Sequence, residues 1–282
     1  MRSVKSLVAA GAASLLSTVA FAADMAIAPP PMGYAPPPIE DFGGWYLRGD
    51  IGFSNQKVKN VLDTNSAAYN NVAVNQTSGF GSAGIFDLGV GYRFNNWLRV
   101  DVTGQYRGNS NFTGLDTVTG TGPFVGFVGT DSYTATKSEA VFLANAYADL
   151  GTWWCVTPFI GAGVGTARVS IANFTDTGDF INGGVQAHSF NSAGQASQWN
   201  FAWALHAGLA YRVAPGLTLE LAYSYLDMGK GLTGPTNSFD QVTNTTHAPF
   251  SFNNITSNDV MLGLRWEMNS PPVYEPPLMR KG

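Results

Sequence analysis

Between Gly84 and Tyr106, apolar side chains recur at every second position. Phe86, Leu88, Val90, Tyr92 and Phe94 share one face of the first half, and Asp87, Gly89, Gly91 and Arg93 share the other. Beyond Asn95-Asn96, Leu98, Val100 and Val102 alternate with Arg99, Asp101 and Thr103. Period-2 alternation across a two-residue Asn turn predicts a β-hairpin. The same template predicts eight runs: Trp45 to Gln56, Gly84 to Phe94, Trp97 to Tyr106, Glu139 to Leu150, Thr157 to Ser170, Asn200 to Val213, Leu217 to Asp227, and Ile255 to Met268. Each is close to the about 9 to 11 residues with which a tilted strand crosses a bilayer. An even number lets antiparallel strands close without an edge.

The links alternate in length. Asn95-Asn96, Gly151 to Val156 and Ala214-Pro215-Gly216 are short, whereas Lys57 to Ala83, Arg107 to Ser138, Ile171 to Trp199 and Met228 to Asn254 are long. All short turns therefore fall at one end and all long loops at the other. The expected architecture is all-β: an eight-stranded antiparallel up-and-down transmembrane β-barrel with four long extracellular loops and three short periplasmic turns.

Alternation alone leaves open which face is inside, because soluble and membrane barrels share it. The residue types decide. One face carries Phe201, Trp203, Leu205, Leu219, Leu221, Val260, Leu262 and Leu264; the other carries Arg48, Asp50, Asp87, Arg93, Arg99, Asp101, His206, Arg212, Glu220, Asp259 and Arg265. A solvated outer face would be rich in lysine, yet Lys57, Lys59, Lys137, Lys230 and Lys281 all fall outside the predicted strands. Arginines mixed with carboxylates suit a narrow hydrogen-bonded lumen. Trp45, Phe94, Trp97, Trp153, Trp154, Phe159, Tyr211 and Trp266 gather at the short-turn ends, with Phe53, Tyr106 and Tyr225 near the opposite ends, as membrane-interface girdles. The alanines and glycines of the fourth and fifth runs (Ala144, Ala146, Ala148; Gly161, Gly163, Gly165) leave the facing of those two strands undecided.

The N-terminus fits an exported protein. Arg2 and Lys5 precede an apolar run ending in Ala20-Phe21-Ala22, the form of a cleaved signal, and the run is shorter than the roughly 18 residues of a spanning helix. Residues 1–22 are read as signal peptide, 23–43 as a Pro-rich periplasmic segment, 44–268 as the barrel and 269–282 as a Pro-rich periplasmic tail. Removing Arg2 and Lys5 leaves 13 basic against 19 acidic residues, a net charge of −6. That balance disfavours nucleic acid as a partner. Cys155 is the only cysteine, which excludes an internal disulfide and a cysteine zinc or redox motif.

Gly43-Gly44-Trp45-Tyr46, GYRFNNWLRVDVTGQYR at 91–107, ANAYADLGTW at 144–153, TPFIGAGVG at 157–165 and the closing LGLRW resemble the OmpA-like, opacity-type eight-stranded outer-membrane barrels of alphaproteobacteria, often labelled porin-family proteins. The resemblance covers residues 43–268. It implies residence in the cell outer membrane of a Gram-negative bacterium, with outer-membrane lipid, lipopolysaccharide and the barrel assembly machinery as partners. Gly263, Trp266 and Met268 fall where that family carries its C-terminal insertion signal, although here fourteen residues follow Met268 instead of none.

An eight-stranded barrel is just wide enough for side chains to fill its interior. Arg93 and Arg99 flank one turn, Arg212 and Glu220 flank another, and Arg48 and Arg265 meet where the first and eighth strands close. These are expected to form a low ring paired upward with Asp50, Asp87, Asp101 and Asp259. The leading functional reading is a structural, surface-exposed barrel contributing to envelope integrity, with at most small conductance. The alternatives are an adhesin or ligand-binding barrel using its Asn-, Thr- and Ser-rich loops on host or phage ligands, or a small porin. The Asn-x-Thr matches at Asn75, Asn111 and Asn173 are chance products of such composition. An enzyme would need a nucleophile beside a base at the outer rim, and the histidines at 188, 206 and 247 do not sit in such a pattern. The sequence calls for no catalytic residue, metal ligand or cofactor.

Overall fold

The computed structural model describes residues 43–64, 70–239 and 244–268. The signal peptide, most of the N-terminal Pro-rich segment and the C-terminal tail lie outside the described residues. In chain order the strands are β1 (Gly44–Lys57), β2 (Asn60–Asp63), β3 (Val72–Phe80), β4 (Ala83–Arg93), β5 (Leu98–Gly120), β6 (Val128–Asp149), β7 (Val156–Asn182) and β8 (Val185–Ala193). They continue as β9 (Ala196–Ala214), β10 (Leu217–Asp227), β11 (Gly231–Leu232), β12 (Thr236–Phe239), β13 (Asn244–His247), β14 (Phe250–Asn253) and β15 (Thr256–Glu267).

Eight of these strands correspond to the eight predicted runs, and each pairs antiparallel with two neighbours. The ring runs β1, β4, β5, β6, β7, β9, β10 and β15, and β15 returns to β1. No strand edge is left open around it, the condition for placing a sheet in lipid. The alternation runs outward as expected: Leu88, Phe201 and Val260 are exposed, while Asp87, Ala202 and Asp259 are buried.

Three expectations need correction. The long links are not plain loops. β5, β6 and β7 continue 22 to 27 residues, far past a bilayer's thickness, and β3 and β8 add to their flanks. Period-2 placement of Phe112, Asp116, Tyr133, Phe174 and Asp176 on one face sustains the strands there. Lys137, read as lying outside the strands, is in β6 and fully buried, because it shares the inward parity of Glu139, Val141 and Leu143. Phe159, read as an interface aromatic, is buried in the lumen. Trp45, Phe94, Trp97, Tyr106, Tyr211 and Trp266 are exposed, and Tyr225 is half-exposed with its ring against Trp203.

A small second sheet of β11, β14 and β2 crosses the long-loop end. It carries Val61, Phe250 and Phe252 onto Phe112, Tyr133, Phe174 and Ile171, which with Val141, Val169 and Leu226 form one buried apolar cluster. A hydrophobic cap thereby packs at the long-loop mouth of the barrel.

Candidate functional site in the lumen and at its mouth

β1 supplies the centre of the lumen. Arg48 and Asp50, two residues apart, share its inner face, and the guanidinium binds the carboxylate bidentately, Nε to Oδ2 and Nη2 to Oδ1, both at 2.9 Å. Arg48 Nη1 reaches across to Asp101 Oδ2 on β5 at 3.2 Å and donates to the Tyr147 hydroxyl at 3.0 Å. Asp101 also accepts from Tyr46 Oη at 3.1 Å and Asn145 Nδ2 at 2.8 Å. The planar fork of arginine is what allows one cation to hold several acceptors in fixed geometry.

Lower down, Glu220 of β10 lies 3.4 Å from Arg99 and 3.2 Å from Arg265, and Arg99 also meets Asp149 at 3.2 Å. Arg99 stacks over the rings of Tyr147 and Phe159, at 4.3 and 4.7 Å from their centres. Higher up, Arg107 pairs with Asp259, and Lys137 with Glu139 and Gln56. Asp87 accepts from Gln105 at 3.0 Å. All these ionic groups except Asp149 are buried.

The expected ring is thus only partly the arrangement found. Arg48, Asp50, Arg99, Asp101, Glu220 and Arg265 meet in one network, and Asp259 belongs to a second, higher group. Arg93 pairs with Glu267 at 3.0 Å near the short-turn mouth. Arg212 is exposed, because a register shift at Leu217 and Thr218 lies beside it at the end of the β9–β10 hairpin. Arg107 and Lys137 were missed by cutting the third run at Tyr106 and starting the fourth at Glu139, and Glu139, although inside the fourth run, was not assigned to the lumen. The continued period-2 parity from Asp101 through Gln105 to Arg107 was the available signal.

His206 sits in the lumen with Nε2 3.2 Å from Asn145 Oδ1, and His188 pairs with Asp179 on the exposed β7–β8 ribbon. Among the described residues, no group of three or more His, Cys, Asp or Glu is placed to hold a metal ion. Gly263 faces the lumen where a Cβ would collide with Asp50 Oδ1, while Trp266 and Met268 are exposed on the lipid side.

The family model described as outer membrane protein beta-barrel domain matches residues 10–267. An uncharacterized protein of Brucella abortus is 30% identical over 240 residues, covering 76% of this chain and 78% of its own length. The outer membrane protein PagN of Salmonella typhimurium is 28% identical, covering 79% of this chain and 89% of PagN. A candidate adhesin of Rickettsia conorii is also 28% identical, with 79% and 82% covered. A closed eight-strand ring, lipid-facing apolar bands, a charged interior and a family match over nearly the whole chain lead to one conclusion: the chain belongs to the outer membrane protein β-barrel domain family and resides in the Gram-negative outer membrane.

Proposed function

We propose that this protein is a closed, non-conducting barrel that holds a folded β-platform outside the cell for binding a partner there, an adhesin-type role. One observation carries the reading: β5, β6 and β7 rise far beyond the membrane band and, with β8, build a sheet over a capped mouth. Loops that served only to connect strands would not need a core of their own. A pore would not hold ion pairs in its lumen and an apolar cap over its exit. The similarity to a candidate adhesin agrees with this role. We take the lumen network to be a structural plug, and lipid and lipopolysaccharide to surround the barrel.

Leaving aside Arg107 and Lys137, which are buried in the lumen, the loops are short of basic residues, holding Lys57, Lys59 and Lys230 against Asp63, Asp116, Asp131, Asp176, Asp179 and Asp240. Sulfated or phosphorylated polyanions are therefore disfavoured as partners. The test is attachment of a non-adherent host strain displaying the protein to cultured cells. Deleting Thr113–Thr134 together with Thr175–Ser192 should abolish attachment and leave membrane insertion intact. Attachment unchanged by the deletion, or absent with the full chain, would sink the adhesive role. Rescue of envelope defects by the shortened barrel would favour the structural reading instead.

A further inference from the structure

Above the hydrophobic cap the inner face of the platform turns from aromatic to acidic. Following the parity of Phe112, Ala135 and Phe174 outward leads to Asp116 on β5, Tyr133 and Asp131 on β6, and Asp176 on β7. Asp116 and Asp131 are direct cross-strand partners, a pairing of like charges that destabilises a sheet. Asp176 stands opposite Tyr133 in the next register.

Their hydrogen bonding is half complete. Asp116 Oδ2 accepts from Gln76 Nε2 and from the Tyr133 hydroxyl, both at 3.1 Å, and Asp176 Oδ2 accepts from Asn191 at 2.6 Å. The second oxygen of each carboxylate has no hydrogen-bond partner, although the two residues are only 2% and 3% exposed. Both line a cavity of about 280 Å³ walled by Val74, Phe127, Phe180 and Phe250. Among the described residues lining it, none is Lys or Arg.

Leaving buried carboxylate oxygens unpaired is costly, and burying like charges together more so. The cost shows in the acids themselves. Burial, reinforced by the neighbouring carboxylates, raises Asp176 to about 7 and Asp131 to about 6, and burial also raises Asp116. A cation in the cavity would remove that cost. We propose that this cavity binds the ammonium or guanidinium head of an organic cation between Asp116, Asp131 and Asp176, with the aliphatic stem against the phenylalanines. Aromatic faces attract such cations, and most strongly where water is excluded. Aromatic and valine walls suit a carbon-bearing cation better than a metal ion, and the carboxylates are not gathered closely enough to chelate one. The volume lies below the roughly 300 to 1,000 Å³ of drug-sized pockets, so the ligand is a small amine or the tip of a basic side chain.

This inference deepens the reading of the platform as a binding surface, and its test is independent of cell attachment. The refolded full chain in detergent is titrated calorimetrically at pH 8 with butylguanidinium, butylammonium, blocked Gly-Arg-Gly peptide, butanol and calcium. Saturable binding of a guanidinium or ammonium probe is expected, with affinity falling at least tenfold in Asp176→Asn and in Asp116→Asn and unchanged in Lys59→Gln. Tighter binding of the peptide than of butylguanidinium would assign the site to a basic side chain, and the reverse to a free amine. The Asn variants should keep their heat-dependent gel mobility, which confirms folding. No binding of any organic cation, binding of calcium alone, equal binding of butanol, or affinity unchanged by both Asn substitutions would overturn the proposal. Failure of attachment with cation binding intact would overturn the adhesive role alone.

Discussion

Asp101 gathers donors from two neighbouring regions of the wall: Arg48 and Tyr46 of β1 and Asn145 of β6 converge on it, and all four are buried. Removing one partner of a buried ion pair leaves the other charge uncompensated, which costs about 3 to 5 kcal/mol in a dry protein interior and less where water enters. Asp101→Ala should therefore lower the urea unfolding midpoint strongly. Arg48→Met added to Asp101→Ala should cost less than the sum of the two single changes, with a coupling of about 0.5 to 3 kcal/mol. Arg93→Met, whose ion pair is with Glu267, should instead add independently to Asp101→Ala. Equal coupling for Arg48 and Arg93 would contradict the pairing seen in the lumen. Arg48, Arg93 and Arg99 all qualify as partners on parity, because parity specifies a face and not a height or a reach.

The two strands whose facing was undecided from sequence show why small residues matter in a narrow barrel. Ala144 and Ala146 of β6 face lipid, and the inward Gly161 and Gly163 of β7 stand opposite Tyr147 and Asn145. A Cβ on either glycine would strike those side chains, so the glycines are the space into which the larger residues lean. Higher on the same strands, the acidic cluster makes the platform pH-sensitive. Asp116, Asp131 and Asp176 face one another from β5, β6 and β7, with Tyr133 between them, Asn191 on β8, Asp63 on β2, and the Asp179–His188 pair at the rim. The carboxyls at about 6 and about 7 lie above their ordinary value of 3.8, so folding favours their neutral forms. Their contribution to stability is full below pH 4 and is lost as pH rises through 6 and 7. Amide exchange in the outer halves of β5–β8, corrected for intrinsic rates, should be at least about tenfold faster at pH 8 than at pH 5, as a loss of roughly 1.4 kcal/mol of local stability would produce. Asp131→Asn should flatten that profile. A flat profile in the wild-type chain would mean that the carboxylates are compensated in another way.

Among the described residues, the barrel carries ion pairs across its lumen and an apolar cluster at its long-loop end. In planar bilayers the refolded protein should show no stable conductance steps. Stable steps persisting in the folded chain would make the porin reading the right one. Orientation follows from the three short turns, and Cys155 lies exposed in one of them. In a Cys155→Ser background, Thr119→Cys and Thr177→Cys, both exposed on the platform, should label on intact cells with an impermeant maleimide. Native Cys155 should label only after the outer membrane is opened. The opposite pattern would place the platform in the periplasm.

The eight ring strands, their pairing order, the lipid-facing side and the membrane itself were legible in the chain, because a barrel in lipid leaves each side chain two environments and the period of two sorts residues between them. Even Lys137 and Arg107 obeyed that rule, and only the assumption that a strand stops at the membrane concealed them. The tertiary structure alone decided which arginine meets which carboxylate, that Arg212 stays outside the network, and that the loops rise as a sheet with its own cap. Those outcomes depend on register shifts and on contacts between residues as distant as Val61 and Phe252, paired between β2 and β14. No local pattern encodes contacts of that kind, because closing such a loop depends on the surface buried at its far end rather than on the residues along it.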